Sequence, residues 1–265
     1  MPELAEVEFY RRRWDVGIGK EIVRVHINAK KRVARGIDAG AFEKALTGAK
    51  FLQSEGHGKR MLFRFSRERW LGLHLGMTGE LLVAQPNFTP AKHDHLVLFQ
   101  RDRALVFRDP RQFGRVQFHQ GKDAPEWWSD LPPQPQEAAF TRNFVEDFFA
   151  RRRKVPIKAA LLMQEAFAGI GNWMADEILW RARINPKRRV ESLSKKEVGE
   201  VWKQTRWVTR ESIKRIAPAH ADPPNGWFFN ERWTKRGVCP RDGAPLQRAE
   251  VGGRTTAWCP ACQQT

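Results

Sequence analysis

No stretch of this 265-residue chain reaches the ~18 consecutive uncharged apolar residues that a membrane span needs. Its first residues carry charges where a signal peptide has an apolar core, so export is not expected and a cytoplasmic place is. Cysteine is nearly absent. The three that occur all follow Val238, which excludes a disulfide framework and reads instead as a set of metal ligands. Internal repeats are missing. Negative charge is scarce: 30 Asp and Glu face 47 Lys and Arg, for a formal net charge of +17 and a sequence pI of about 10.4. An excess of that size, spread over both halves, is the footprint of a polyanion binder. A basic protein of membrane surfaces would carry a strongly amphipathic basic helix, and no segment provides one.

Aromatic residues, by contrast, are plentiful, with 11 Trp and 17 Phe. Most belong in cores, but aromatic faces among basic residues also suit nucleic acid, where they stack on bases. The 41% hydrophobic content supports real cores, and the length admits two domains at ~150 residues each.

Residues 2–13 read as a short helix. Runs rich in Val, Leu and Phe follow at Glu21–Ile27, Phe51–His57, Met61–Phe65, Trp70–Leu75, Glu80–Ala84, His95–Phe99, Leu105–Arg108 and Arg115–His119, punctuated by Gly, Asp and Arg turns. A helix is expected over Ala41–Leu46. This spacing predicts a β-sandwich or barrel of about 120 residues. The proline-rich segment Leu131–Gln136 marks a boundary, with a first domain over 1–131 and a linker over 132–139. Beyond it the period turns helical. Thr141 is placed to cap a helix over Arg142–Arg151, and Pro156 to open one running to Phe167. Ala168–Asn172 breaks that helix, and another runs from Trp173 to Arg183. Ser194, with Glu197 at capping-box spacing, opens the last long helix, to Ile216. The fold class is α+β: a β-sandwich, a helical domain over 140–230, and a small Cys-containing module over 231–265.

Three local features carry chemistry. Pro2 beside Met1 lets the initiator be trimmed, leaving a secondary amine next to Glu3. An α-amino group has a pKa of roughly 7.7–8.0, against about 10.4 for lysine, so a useful fraction is unprotonated at neutral pH. Such an amine attacks an electrophilic sugar carbon to form a Schiff base, and a neighbouring carboxylate moves the protons. The alternative is the plain start of a disordered tail. The second feature is Cys239-Pro-Arg-Asp242 followed by Cys259-Pro-Ala-Cys262, the spacing of a zinc ribbon whose second ligand is aspartate. A Cys₃Asp site lacks one soft ligand and would bind more weakly than Cys₄; the alternative is a zinc-free β-hairpin. Between the pairs, Gly252-Gly253-Arg254 would turn a hairpin and present Arg254 to a backbone phosphate, unless Arg254 is only a solvated charge. The third feature is Ala168-Gly-Ile-Gly-Asn172 between two helices. Its backbone amides could hold a phosphate with help from Asn172, although such a turn also serves a plain helix hairpin.

"PELAEVE" (Pro2–Glu8), "GHGKRMLF" (Gly56–Phe63), "HLGMTG" (His74–Gly79), "DPRQFG" (Asp109–Gly114) and "AGIGNWMADEIL" (Ala168–Leu179) occur in this order before the cysteine tail. With that tail they make the chain resemble, over nearly its whole length, the formamidopyrimidine-DNA glycosylase and endonuclease VIII family. The resemblance implies a β-sandwich, a helix–two-turn–helix domain and a zinc finger. It implies excision of damaged bases by a monomer acting on double-stranded DNA among the bacterial nucleoid, with a structural zinc and no redox cofactor. It makes Pro2 the nucleophile at C1′ and Glu3 the general acid/base, with Glu6 supporting their hydrogen bonds. Lys59, grouped with this catalytic set, and His74 match phosphate contacts on a strand face, and Asn172 and Arg254 match phosphate contacts that would help pinch the backbone. Met77, Arg111 and Phe113 match the residues that fill the gap left by a flipped base, where the alternative for Met77 and Phe113 is ordinary core. Lys158 matches a DNA-contacting lysine near the damaged base, with a surface charge as its alternative. Glu177 matches a glutamate facing the site, with a helix N-terminal charge as its alternative.

The chain departs from the family pattern at Ala5, Gln112, Met163 and Asp242, and not at Pro2 or Glu3. The stretch Ile216–Trp227 is short and proline-rich where relatives that favour 8-oxoguanine carry a longer loop before the finger. That points to oxidised pyrimidines or ring-opened bases. The competing expectations are a DNA-binding protein of this fold without glycosylase activity, and a zinc-ribbon RNA-binding protein, which the N-terminus does not suit.

Overall fold

The Val-, Leu- and Phe-rich runs pair as antiparallel strands in the computed structural model, which describes residues 1–264. The chain divides into two units, Met1–Leu131 and Pro132 onward, parted at the proline-rich segment. In the first unit, β1 (Arg24–Ile27), β2 (Phe51–His57), β3 (Arg60–Phe65), β4 (Arg69–His74), β5 (Glu80–Ala84), β6 (Asp94–Phe99), β7 (Ala104–Arg108) and β8 (Arg115–Gln120) form two sheets. Their orders are β1-β6-β7-β5 and β2-β3-β4-β8, and every pairing is antiparallel. Alternate residues point inward, so Phe51, Phe63, Phe65, Leu71 and Leu73 of one sheet share a core with Leu81, Leu96, Leu98, Leu105 and Phe107 of the other. This is the expected sandwich.

Helix α1 (Leu4–Arg13) begins two residues later than expected, because Glu3 is its N-cap and Pro2 precedes it. Leu4, Ala5 and Val7 bury its inner face. The strand expected from Glu21 starts at Arg24, since Glu21 makes only an isolated bridge to Lys50. Helix α2 (Ala39–Leu46) is capped by Asp38, whose carboxylate accepts from the Ala41 N–H at 2.7 Å. A short helix absent from the sequence reading, α3 (Glu126–Ser129), lays Trp127 over β4 so closely that a Cβ on Gly72 would lie 2.3 Å from the indole.

The second unit holds α4 (Arg142–Ala150), α5 (Ile157–Leu161), α6 (Asn172–Ala182), α7 (Lys195–Ile216), α8 (Phe228–Arg232) and the hairpin β9 (Gln247–Val251) with β10 (Arg254–Trp258). Thr141 caps α4 by accepting from the Phe144 N–H, and Ser194 with Glu197 forms the capping box of α7. The helix expected from Pro156 to Phe167 stops at Leu161. Beyond it the Gln164 amide donates to the carbonyls of Leu162 and Ile170, which holds the chain in turns. The Cys-containing module is no separate body: Cys239, Ala257 and Cys259 share a core with Trp180 of α6 and Phe228 of α8. No helix among the described residues is long and apolar enough to cross a membrane.

Candidate functional site

In the first unit the N-terminus is built around a buried carboxyl. Glu3 is only 2% exposed, and its backbone N–H donates to Glu6 Oε2 at 3.2 Å. Pro2 is half-buried beside it. A fixed glutamate next to a potential amine is the pairing a Schiff-base reaction needs.

The connections β4–β5 and β7–β8 carry Met77, Arg111 and Phe113, and one residue fastens both. Asp109 is fully buried. Its Oδ1 accepts from the Thr78 hydroxyl at 2.8 Å and the Arg111 N–H at 3.2 Å, and its Oδ2 accepts from the Gly114 N–H at 2.7 Å. Gly76 has φ +64°, and a Cβ there would lie 2.4 Å from the Phe113 carbonyl carbon, so the two connections touch where only glycine fits. Met77 is 37% and Phe113 46% exposed, which sets aside the ordinary-core reading. The Arg111 guanidinium lies 5.1 Å from the Phe113 ring centroid. Asp109 opens the DPRQFG motif, and only its burial and its three hydrogen bonds reveal its part.

His74 ends β4. Its Nδ1 accepts from the Gly76 N–H at 3.0 Å, so the ring proton sits on Nε2. Burial, reinforced by the Lys59 and Arg60 charges, lowers its pKa to about 4, leaving a neutral donor at physiological pH. Lys59 follows Gly58 (φ +58°) in the two-residue β2–β3 turn.

In the second unit Gly169 (φ +87°) turns the chain and donates its N–H to Gln164 Oε1, so Gln164 braces the turn from both sides. Asn172 opens α6 and donates its side-chain amide to the Thr255 carbonyl at 2.8 Å, joining the turn to β10. The hairpin turn at Gly252 (φ +61°) and Gly253 (φ +72°) leaves Arg254 exposed.

Lys158 requires a correction. It is fully buried, with its ammonium on Asp176 and on the Asn172 carbonyl. It is not a surface charge, and the direct DNA contact expected of it gives way to a role inside the fold. Asp176 also accepts from Arg232, at 2.9 Å from Nε and 2.5 Å from Nη2. One carboxylate thereby joins α5, α6 and α8. Glu177 is not a helix N-terminal charge either. It is fully buried, accepts from Arg181 Nε at 2.7 Å and the Phe229 N–H at 3.1 Å, and burial raises its pKa to about 7.

Cys239, Asp242, Cys259 and Cys262 converge, their ligand atoms all within 4.8 Å of one another. Cys239 Sγ is 3.9 Å from Cys262 Sγ, and Cys259 Sγ is 3.4 Å from Asp242 Oδ2. Tetrahedral zinc with bonds of about 2.3 Å to sulfur and 2.0 Å to oxygen calls for separations of about 3.8 and 3.5 Å. The residues therefore fit the ion. Trp180 Nε1–H donates to Cys239 Sγ at 3.3 Å and Arg241 to Cys262 Sγ at 3.4 Å, outer contacts of the kind that orient thiolate ligands and that spacing did not reveal. Without an ion, burial and the neighbouring thiols push Cys262 up to about 12.

Comparison with known proteins covers both units. The profile of the formamidopyrimidine-DNA glycosylase N-terminal domain matches residues 1–116, and that of the formamidopyrimidine-DNA glycosylase H2TH domain matches residues 131–220. A formamidopyrimidine-DNA glycosylase of Pelotomaculum thermopropionicum is 33% identical over 276 residues, covering 100% of this chain and 99% of the relative. The wild-type Lactococcus lactis enzyme solved with DNA containing an oxidised pyrimidine superposes with a TM-score of 0.90 at 26% identity, covering 100% of both chains. A MutM structure with DNA containing carbocyclic 8-oxo-G gives 0.88 at 28% identity, again over 100% of both chains.

Proposed function

Because the chain belongs to the formamidopyrimidine-DNA glycosylase family, we propose that it excises oxidised bases from duplex DNA and then cuts the strand as a lyase. The observation that carries this reading is the buried Glu3 held by Glu6 directly beside Pro2.

With Met1 removed, the Pro2 nitrogen is a secondary amine. It attacks C1′ of the damaged nucleoside while Glu3 delivers a proton, and the C1′–N bond breaks as the base leaves. The resulting iminium acidifies the C2′ hydrogen. Loss of that proton expels the 3′ phosphate by β-elimination, and a second elimination releases the 5′ phosphate. Met77, Arg111 and Phe113, held out by Asp109, fill the duplex where the base has left. Lys59, His74, Asn172 and Arg254 take phosphates. Cys239, Asp242, Cys259 and Cys262 would hold a structural zinc that keeps the finger hairpin folded and takes no part in the chemistry.

The segment joining α7 to α8 is short and carries Pro218, Pro223 and Pro224. Its length favours oxidised pyrimidines and ring-opened bases over 8-oxoguanine, although related structures hold either an oxidised pyrimidine or an 8-oxo-G analogue.

Borohydride trapping tests the reading. Protein mixed with duplex carrying an oxidised pyrimidine is expected to give a covalent protein–DNA band, which Pro2→Gly abolishes. Absence of that band, with Met1 shown by mass to be removed, sinks the lyase mechanism. A protein that binds damaged duplex without excision is instead a binding module of the same fold.

A further inference from the structure

On the solvent face of the β2-β3-β4-β8 sheet, His74 has two cationic neighbours, Arg60 and Arg115, to which no role has been given. Register places His57, Arg60, His74 and Arg115 side by side on one rung across all four strands. Their neighbours Met61, Leu73 and Val116 point into the core, so alternation turns the rung outward. The next rung on this face is roofed by Trp127 where it crosses Gly72. Between roof and rung lies a cavity of about 240 Å³, lined by Arg60, His74, Phe113, Arg115, Gln117 and Trp127, with Met61 and Leu73 at its floor. No carboxylate lines it. Arg60 is held in place by donating from Nη1 to the Trp127 carbonyl at 3.0 Å, and the Arg115 side chain makes no hydrogen bond or ion pair with any described residue. Burial and the Arg115 charge beside it hold Arg60 below the usual arginine range. Arg60 and Arg115 stand two strands apart on this rung with His74 between them, and an anion held between the two guanidinium groups would offset the repulsion they exert on each other. His74 adds a neutral Nε2–H at the same place.

We propose that Arg60 and Arg115, on either side of His74 and walled by Trp127, complete the seat of the DNA backbone phosphate that His74 contacts beside the Phe113 wedge. A phosphate seated there fixes the strand against the ring that fills the duplex gap. Arg60 and Arg115 are thus positioning residues, and the proposal rests on the DNA reading above.

The test measures binding of the full-length protein to undamaged fluorescent duplex by anisotropy between about 50 and 200 mM salt. The double variant Arg60→Gln/Arg115→Gln is expected to lower the slope of log K against log[salt] by about one, the share of one phosphate. Arg60→Lys/Arg115→Lys, which keeps the charges, is expected to recover most of that slope. Arg64→Gln, on the same face two rungs away, is expected to leave it unchanged. An unaltered slope in the Gln pair overturns the seat, and so does an equal loss in Arg64→Gln, which would mean a diffuse field. Borohydride trapping on the same preparations separates the two readings. Wild type that traps DNA while the Gln pair keeps its slope refutes the seat alone, and wild type that neither traps nor binds removes both.

Discussion

Replacing Asp109 by Asn tests whether the β4–β5 and β7–β8 connections act as one piece. The substitution keeps the shape but turns one acceptor oxygen into a donor that faces other donors. If the amide nitrogen takes the Oδ2 position, the Gly114 N–H loses its acceptor; if it takes Oδ1, the Arg111 N–H does. A hydrogen bond to a charged group is worth about 1.5–3 kcal/mol, so a stability loss of about 2–3 kcal/mol is expected. For a unit of this size that is a fall in Tm of about 5–10 °C. The functional cost follows from population. If the loosened connections present Met77 and Phe113 correctly one time in ten, duplex excision falls about tenfold, or about 1.4 kcal/mol. Single-stranded abasic DNA has no stack to fill, so trapping on it is expected to change by less than about twofold. Single-turnover excision from duplex, run beside borohydride trapping on the single strand, makes the comparison. Equal losses on both substrates, or no loss of either stability or duplex excision, would refute the reasoning.

Metal analysis of the purified protein is expected to return about one zinc per chain, with less than about half an equivalent counting against the Cys₃Asp site. Asp242→Cys adds a fourth soft ligand and is expected to retain the ion longer against a chelator, followed by metal release. The buried Glu177 titrates at about 7 rather than 4.5, so the folded chain keeps a proton that the unfolded chain releases. Its contribution to stability is therefore full below pH 4.5 and is lost as the pH rises through 7. Glu177→Gln is expected to flatten stability against pH across that window, and melting curves that stay parallel to wild type contradict this. Asp176→Asn leaves Lys158 and Arg232 buried without their counter-charge, for a loss of about 3–5 kcal/mol in chemical denaturation. A loss under about 1 kcal/mol contradicts the ion cluster.

Much of the fold was legible because its signals are local. The Thr141 cap and the Ser194–Glu197 box each need only a few adjacent residues, and the runs of Val, Leu and Phe mark strands wherever they pair. The differences arose where a particular side chain captured the backbone, or where a partner lay far along the chain. Glu6 reaching the Glu3 N–H sets where α1 begins, and Gln164 taking the carbonyls of Leu162 and Ile170 holds the chain in turns beyond α5. For Lys158 the sequence offered a DNA contact, with a surface charge as the alternative, and its burial against Asp176 was not visible because that partner lies on the next helix.

The order of residues alone determined the basic charge, the Pro2–Glu3 pair, the cysteine spacing and the succession of sandwich, helices and finger. Each is a property of composition or of short spacing, present before the chain folds. Tertiary structure alone decided which side chains stand outward and which are held. It exposes Met77 and Phe113 on connections fastened by Asp109, closes Lys158 and Glu177 into the interior, and lines up Arg60, His74 and Arg115 on one rung. Burial and register depend on pairings between residues far apart in the chain, and no local pattern encodes them.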